Sequence, residues 1–252
     1  MTAREALRYV DRGADCYLRA MGTADHMQII DDGTCEIMRS KGAINDLCSV
    51  YNVRIEDLRD DELIKTIDRI RALGIRHIWW PLAASDRVLM AIHGRIPRYS
   101  PDDFEIYGCM DAPAMTQLQV PKGLAIKRVS SIDDFITWCR LDNETEHGGN
   151  VIFYPPNHMH LIESGKLTAY LGCVDGAPVA TSAILNDGDI ASLEFVSTLP
   201  GYRRRGIART MCHHALTEGF GGGAKVITTR GIADGRGIVV QVGFRVMDTM
   251  DH

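Results

Sequence analysis

Thr198-Leu199-Pro200-Gly201-Tyr202-Arg203-Arg204-Arg205-Gly206-Ile207-Ala208-Arg209 is the stretch that decides the fold. An apolar run containing Leu193, Phe195 and Val196 leads into it, and a helical pattern from Ala208 to Glu218 leads out. The order is strand, basic glycine-containing turn, helix. Such a turn leaves unpaired backbone N–H groups at the start of the helix, where the helix dipole favours negative charge. Gly206 has no side chain, so an anion reaches the backbone closely there. Four arginines (Arg203, Arg204, Arg205 and Arg209) flank the same turn. The stretch reads as a pocket for a phosphorylated cofactor.

The bulk composition narrows the setting. A chain of 252 residues is long enough for one large domain or two of ordinary size. Hydrophobic residues make up 45% and charged residues 24%, the balance of an ordinary soluble globular protein. The net charge of −5 makes the arginine cluster a local feature. No aromatic residue is interleaved among those arginines, so a nucleic-acid surface is disfavoured. The seven cysteines (Cys16, Cys35, Cys48, Cys109, Cys139, Cys173 and Cys212) lie far apart with no C-x-x-C pair. That pattern fits reduced thiols better than a disulfide framework or a zinc knuckle. No apolar run approaches the roughly 20 residues that span a bilayer. Residues 1–7 carry Arg4 and Glu5 and lack an apolar signal core. The expectation is a cytoplasmic protein with no membrane and no nucleic-acid partner.

Periodicity and turn chemistry predict the elements in order. A helix is expected over residues 2–21, and two short strands from Met27 to Arg39 around Asp31-Asp32-Gly33. A helix from Ile55 to Leu73 follows, with Gly74 as its C-terminal cap. Then come a strand from Arg76 to Leu82, a helix from Asp86 to His93 and a strand from Phe104 to Met110. Residues 111–123 hold two prolines and little periodicity, which places a linker there. Beyond it we expect a strand Leu124–Val129, a helix Ile132–Leu141 capped by Ser131, a polar loop Asp142–Asn150 and a helix His158–Ser164. Three antiparallel strands are expected at Leu167–Val174, Pro178–Leu185 and Ile190–Thr198, joined by the Asp175-Gly176 and Asp187-Gly188 turns. A helix from Gly206 to Glu218, a strand Lys225–Thr229, a helix Asp234–Val242 and a strand Phe244–Met250 complete the chain.

The pattern Arg203-x-x-Gly206-x-Ala208, with Thr198-x-Pro200 before it and Gly243-Phe244 after it, resembles the pyrophosphate loop of the GNAT superfamily. These are acyl-CoA-dependent N-acyltransferases, and the resemblance covers roughly residues 123–250. It implies an α+β (α/β) GNAT fold: a mixed, mostly antiparallel central sheet flanked by helices. Residues 119–252 would form the acetyltransferase domain. Residues 1–118 would form a smaller, degenerate GNAT-like domain, since they share the rhythm of strands and helices but lack the loop motif. The implied reaction is transfer of an acetyl group from acetyl-CoA, the co-substrate, to an amine on a small molecule or peptide, by direct attack in a ternary complex. The alternative is a non-catalytic acyl-CoA-binding or regulatory module. A homodimer is allowed by the resemblance.

By position in that family, the backbone of Phe195, Val196, Ser197 and Thr198 would pair with the pantetheine arm. The N–H groups of Arg204, Arg205, Gly206, Ile207, Ala208 and Arg209 would hold the pyrophosphate, with the Arg203 side chain either joining them or supporting the loop. Glu194 is the candidate general base. Strand alternation would turn it away from Phe195, and its other reading is as the partner of an arginine. Family members commonly carry a tyrosine four residues before the Gly-Phe pair, as acid toward the departing thiolate. Here that position is Val239. The segment Asn143–His147 is a candidate wall of the acceptor pocket. His158 and His160 would share a face with each other only in a strand, and with His147 they match no known zinc pattern. No metal is expected.

Overall fold

The computed structural model describes residues 1–41, 48–75, 77–95, 106–111, 119–146, 155–231 and 235–247. The chain opens with helix α1 (Ala3–Met21), whose cap is reciprocal: the Thr2 hydroxyl accepts from the Glu5 N–H, and Glu5 accepts from the Thr2 N–H at 2.6 Å. Strands β1 (Met27–Asp31), β2 (Glu36–Ser40) and β3 (Ser49–Tyr51) then form an antiparallel run. Helix α2 (Asp60–Ala72) leads to β4 (His77–Ile78), which pairs parallel to β3, and helix α3 (Asp86–His93) leads to β5 (Ile106–Met110). The four-stranded sheet has the order β1-β2-β3-β4.

The second half repeats this order. Strand β6 (Leu124–Arg128) and helices α4 (Ile132–Glu146) and α5 (Pro155–Glu163) precede an antiparallel run of β7 (Leu167–Val174), β8 (Ala177–Asp187) and β9 (Ile190–Thr198). Helix α6 (Ile207–Gly221) leads to β10 (Val226–Gly231), parallel to β9, and helix α7 (Arg236–Gln241) leads to β11 (Arg245–Met247). The seven-stranded sheet has the order β11-β5-β10-β9-β8-β7-β6. The expected mixed, antiparallel-rich sheet flanked by helices is therefore present.

Three apolar clusters hold these layers. One lies between the four-stranded sheet and α2 and α3, around Val50, Ile55, Leu63, Ile67 and Val88. One fills the α6 and α7 face of the large sheet, around Ile184, Leu193, Met211, Leu216 and Phe244. The third fills its other face and joins Val10, Ala14 and Leu18 of α1 to Phe135 and Trp138 of α4. Removing this apolar surface from water supplies the main favourable contribution to folding.

Several expectations need correction. Strand β5 precedes the 118/119 boundary, yet it is hydrogen-bonded between β10 and β11 of the large sheet. The first helix also packs on that sheet, against β9, β10 and β5. The helix expected from Ile55 begins at Asp60, because Arg59 is extended and Glu62 accepts its N–H at 3.3 Å. The strand expected from Arg76 to Leu82 is reduced to His77–Ile78. Asp11 of α1 takes the N–H groups of Leu82 and Ala83, each at 3.0 Å, and draws the chain off the sheet. Strand β3 was not foreseen. Its three residues are too few for a periodic signal, although all are buried. The polar loop expected at Asp142 is a continuation of α4 as far as Glu146.

The first helix thus serves both sheets. Toward the large sheet its contact depends on Gly13, where a Cβ would lie 2.1 Å from Thr228 Oγ1 and 3.7 Å from Ser192 Oγ. Toward the small sheet it uses Asp11, Asp15 and Arg19. Asp15 accepts from the Asn52 N–H at 2.9 Å, and Arg19 pairs with Glu36 at 2.7 Å.

Gly13→Ala should therefore destabilise. Alanine ordinarily improves a helix interior by about 1 kcal/mol over glycine, but overpacking costs about 1–3 kcal/mol. A lower urea midpoint is expected, and a raised one would refute the close approach.

Burial, and secondarily the charge of Asp11, pushes the Asp15 carboxyl up to about 7. An unfolded aspartate titrates near 3.9, so between roughly pH 4 and 7 the folded chain holds a proton that the unfolded chain has released. That contribution is present in full at low pH and is lost as pH rises through this window. Asp15→Asn should remove this part of the pH dependence, matching the parent near pH 4 and exceeding its urea midpoint near pH 8.

Candidate functional site

The site begins where two strands part. β9 and β10 pair in parallel from Ile190↔Val226 to Leu193↔Thr229, and no further. Beyond that point Arg230 and Gly231 remain paired with β5, while Glu194, Ser197 and Thr198 remain paired with β8. Among the described residues, no strand pairs with the edge of β9 from Glu194 to Thr198 on this side. On its other side β9 carries a bulge: Phe195 and Val196 lie between the pairs Ala183↔Glu194 and Thr181↔Ser197, opposite Ser182 alone. Phe195 adopts φ +56°, a left-handed conformation rare for a bulky residue. The Thr181 hydroxyl braces the bulge by donating to the Phe195 carbonyl at 2.8 Å.

The bulge cancels the expected alternation. Phe195 packs on the α1 and α4 face, against the rings of Tyr17 (5.8 Å between centroids) and Trp138 (5.3 Å). Glu194 turns to the same face. It accepts from Ser192 Oγ at 2.5 Å and pairs with Arg230 Nη2 at 2.9 Å. The side chains of that pair are 9% and 10% exposed. Glu194 is therefore held as an arginine's partner, the second of the two roles open to it from sequence. The Arg230 guanidinium lies 4.4 Å from the Tyr17 ring centre and 5.4 Å from that of Trp79. The sequence points to neither Arg230 nor Tyr17, and it marks Trp79 only as part of the N-terminal resemblance and not of the site, because all three lie far from Glu194 along the chain.

The basic loop follows directly. A short 3-10 turn (Pro200–Tyr202) ends at Arg203; Arg204 (φ +63°) and Gly206 (φ +80°) are then left-handed, and α6 begins at Ile207. Left-handed residues in a turn are the kind that can bring neighbouring N–H groups to one side, the geometry that binds anions. The N–H groups of Arg204, Arg205, Gly206, Ile207, Ala208 and Arg209 have no backbone partner among the described residues. Among the described residues a Cβ on Gly206 would meet only Pro121 Cγ, at 3.8 Å, so they leave the approach to this backbone open.

The arginine side chains divide the work. Arg203 Nε donates to the Thr198 carbonyl at 2.9 Å, which ties the loop to the end of β9. Arg205 donates to the Gly201 carbonyl at 2.8 Å and lies 5.1 Å over the Tyr202 ring. Arg203 thus supports the loop, while Arg204 is exposed. Two polar atoms beside the loop, Thr198 Oγ1 and Arg209 Nε, are buried with no hydrogen-bond partner among the described residues. Such orphans are rare in folded proteins and fit a site built for an anionic ligand.

The remaining candidates separate. Val239 is buried on α7 among apolar neighbours and offers no proton. Asn143, Glu144 and Thr145 lie on α4, while His147 falls outside the described residues. His158 is buried and His160 exposed on α5, so a helix separates two residues that only a strand would align. His160 Nε2 lies 2.9 Å from Thr23 Oγ1.

Gly206→Ala should cost about 1 kcal/mol, because an alanine at φ +80° carries the left-handed penalty that glycine escapes. A denaturation midpoint equal to the parent's would show that the loop does not hold this conformation in solution.

Comparison with known proteins agrees with this geometry. Residues 130–234 match the model of the acetyltransferase (GNAT) family. No curated protein matches the chain by sequence. Among solved structures, a GCN5-related N-acetyltransferase from Kribbella flavida superposes with a TM-score of 0.65 at 17% identity, covering 94% of this chain and 91% of that one. A Drosophila protein superposes with a TM-score of 0.54 at 13% identity, covering 98% and 88%. At these identities the likeness is one of fold, and it extends over both halves of the chain.

Proposed function

We propose, from the premise that this chain carries a GNAT acetyltransferase domain, that it transfers an acetyl group from acetyl-CoA to an amine. The observation that carries this reading is the continuity of a strand edge whose ladder has ended, Glu194 to Thr198, with a loop whose N–H groups, Arg204 to Arg209, have no backbone partner among the described residues. The two are the right shape for the two parts of one ligand. The loop and the first turn of α6 bind the pyrophosphate through backbone N–H groups and the helix dipole. The β9 edge accepts the pantetheine amides as a missing neighbour strand would. When bound, acetyl-CoA supplies an activated thioester.

The chain's own contribution is orientation and charge. A backbone N–H on that edge of β9 polarises the thioester carbonyl in the manner of an oxyanion hole. The amine must lose its proton before or during attack. Glu194, paired with Arg230, is a poor candidate for that base, so we assign the base to no residue. The leaving thiolate has an ordinary pKa near 8.5, so solvent or a backbone N–H suffices where Val239 replaces a tyrosine.

We further read the N-terminal half as a degenerate copy of the second. Its order α1-β1-β2-β3-α2-β4-α3-β5 echoes α5-β7-β8-β9-α6-β10-α7-β11, including a parallel pair with a helix between its two strands. The equivalent helix start differs in kind: α2 carries Asp60, Asp61 and Glu62 in its first turn. Carboxylates there occupy and cancel the positive end of the dipole and repel phosphate. One acyl-CoA per chain follows.

A second reading, a non-catalytic acyl-CoA-binding module, is favoured by one observation, the buried valine at position 239.

Titration calorimetry with acetyl-CoA and CoA separates these readings. The intact chain should bind one equivalent. Gly206→Glu should abolish binding by placing a carboxylate where the pyrophosphate sits, and Gly206→Ala should retain it. No binding by the intact chain would overturn the proposal. Binding without CoA release against a broad amine panel would favour the module.

A further inference from the structure

The fork between β9 and β10 has to be held open. Two adjacent strands whose shared ladder has ended tend to re-pair, because each lost backbone bond is costly when buried. At the first position past the last backbone pair, Leu193↔Thr229, the next residue on each strand is charged, Glu194 and Arg230. Their side chains meet at 2.9 Å and replace the backbone contact with a longer one. Glu194 is fixed from below by Ser192 Oγ at 2.5 Å. The guanidinium is a rigid planar fork of fixed length, and here it is flanked by Tyr17 and Trp79 at 4.4 and 5.4 Å. Cation–π contacts of this kind strengthen when water is excluded. Both rings come from the N-terminal half, so that half bears on the separation of two strands in the other.

We propose that the Glu194–Arg230 pair is a strut that sets the width of the slot for the acyl-pantetheine arm, and that Tyr17 of α1 and Trp79 after β4 position it. Glu194 is then a positioning residue. This inference rests on the acyl-CoA reading of the loop, and the two fail separately in the following experiment.

Acetyl-CoA and its nucleotide half, 3′-phospho-ADP, are titrated into the intact chain and into Glu194→Gln/Arg230→Met. The double variant removes both charges together, since a single substitution would leave the other charge buried and uncompensated. The nucleotide half reports on the loop alone, and acetyl-CoA on loop and slot. The expected result is a loss of about tenfold or more in acetyl-CoA affinity with unchanged affinity for the nucleotide half and an unchanged Tm. Arg230→Lys, which keeps the charge and loses the fork, should show the same selective loss at smaller size, and it carries the test if the double variant folds poorly. Tyr17→Leu should do likewise. Equal weakening of both ligands, or no change in either, overturns the strut. Failure of the intact chain to bind the nucleotide half overturns the loop reading instead.

Discussion

The end of backbone pairing after Leu193 and Thr229 is the constraint on which the rest of this structure depends. A parallel pair that stops halfway ends the backbone ladder between the two strands, and the groups released there are tolerated only where something else satisfies them or a ligand is meant to. The neighbourhood is arranged around that fact. The bulge at Phe195 bends β9 away, β5 secures the far side of β10, and an ion pair spans the fork. The loop then leaves the strand end, its N–H groups without backbone partners among the described residues.

The first helix contacts the sheets of both halves. Gly13 lets it approach Thr228 and Ser192, next to the fork, while its other side holds the small sheet through Asp11, Asp15 and Arg19. The capture of the Leu82 and Ala83 N–H groups by Asp11 shortens β4 and carries Trp79 toward Arg230. Strand β5 adds a second crossing, since it belongs to the N-terminal half in sequence and to the large sheet in space. A boundary drawn at the proline-containing linker separates composition but not packing.

Much of the second half was legible because its signals are local. Asp175-Gly176 forms the β7–β8 turn with both residues at positive φ, and the β8–β9 turn is Gly188-Asp189, one residue later than expected because Asp187 still pairs with Ile190, with Gly188 at positive φ. The span Asp86–His93 matches α3 residue for residue, with Gly94 at its end. The candidate loop was legible for the same reason: glycine, arginines and a helix start lie within a few residues. Glu194 was legible as a polar residue on an apolar strand, and its orientation was not. Strand period 2 predicts opposite faces for Glu194 and Phe195, and one inserted residue places both on the same face. The short strands β3 and β4 were missed or overdrawn because what ends them is a contact from α1.

The sequence by itself determined the chemistry available at the loop: left-handed glycine, a helix N-terminus, local positive charge and no tyrosine at position 239. These depend on residue type and short spacing, which a linear chain specifies directly. Only the tertiary structure decided what Glu194 is for. Its partner is 36 positions away, and the rings that flank that partner, Tyr17 and Trp79, are farther still. No periodicity carries such a contact. It exists because the α1 helix, packed through Gly13, and the shortened β4 place both rings beside the fork, in a buried setting where a charge is tolerated only with a partner.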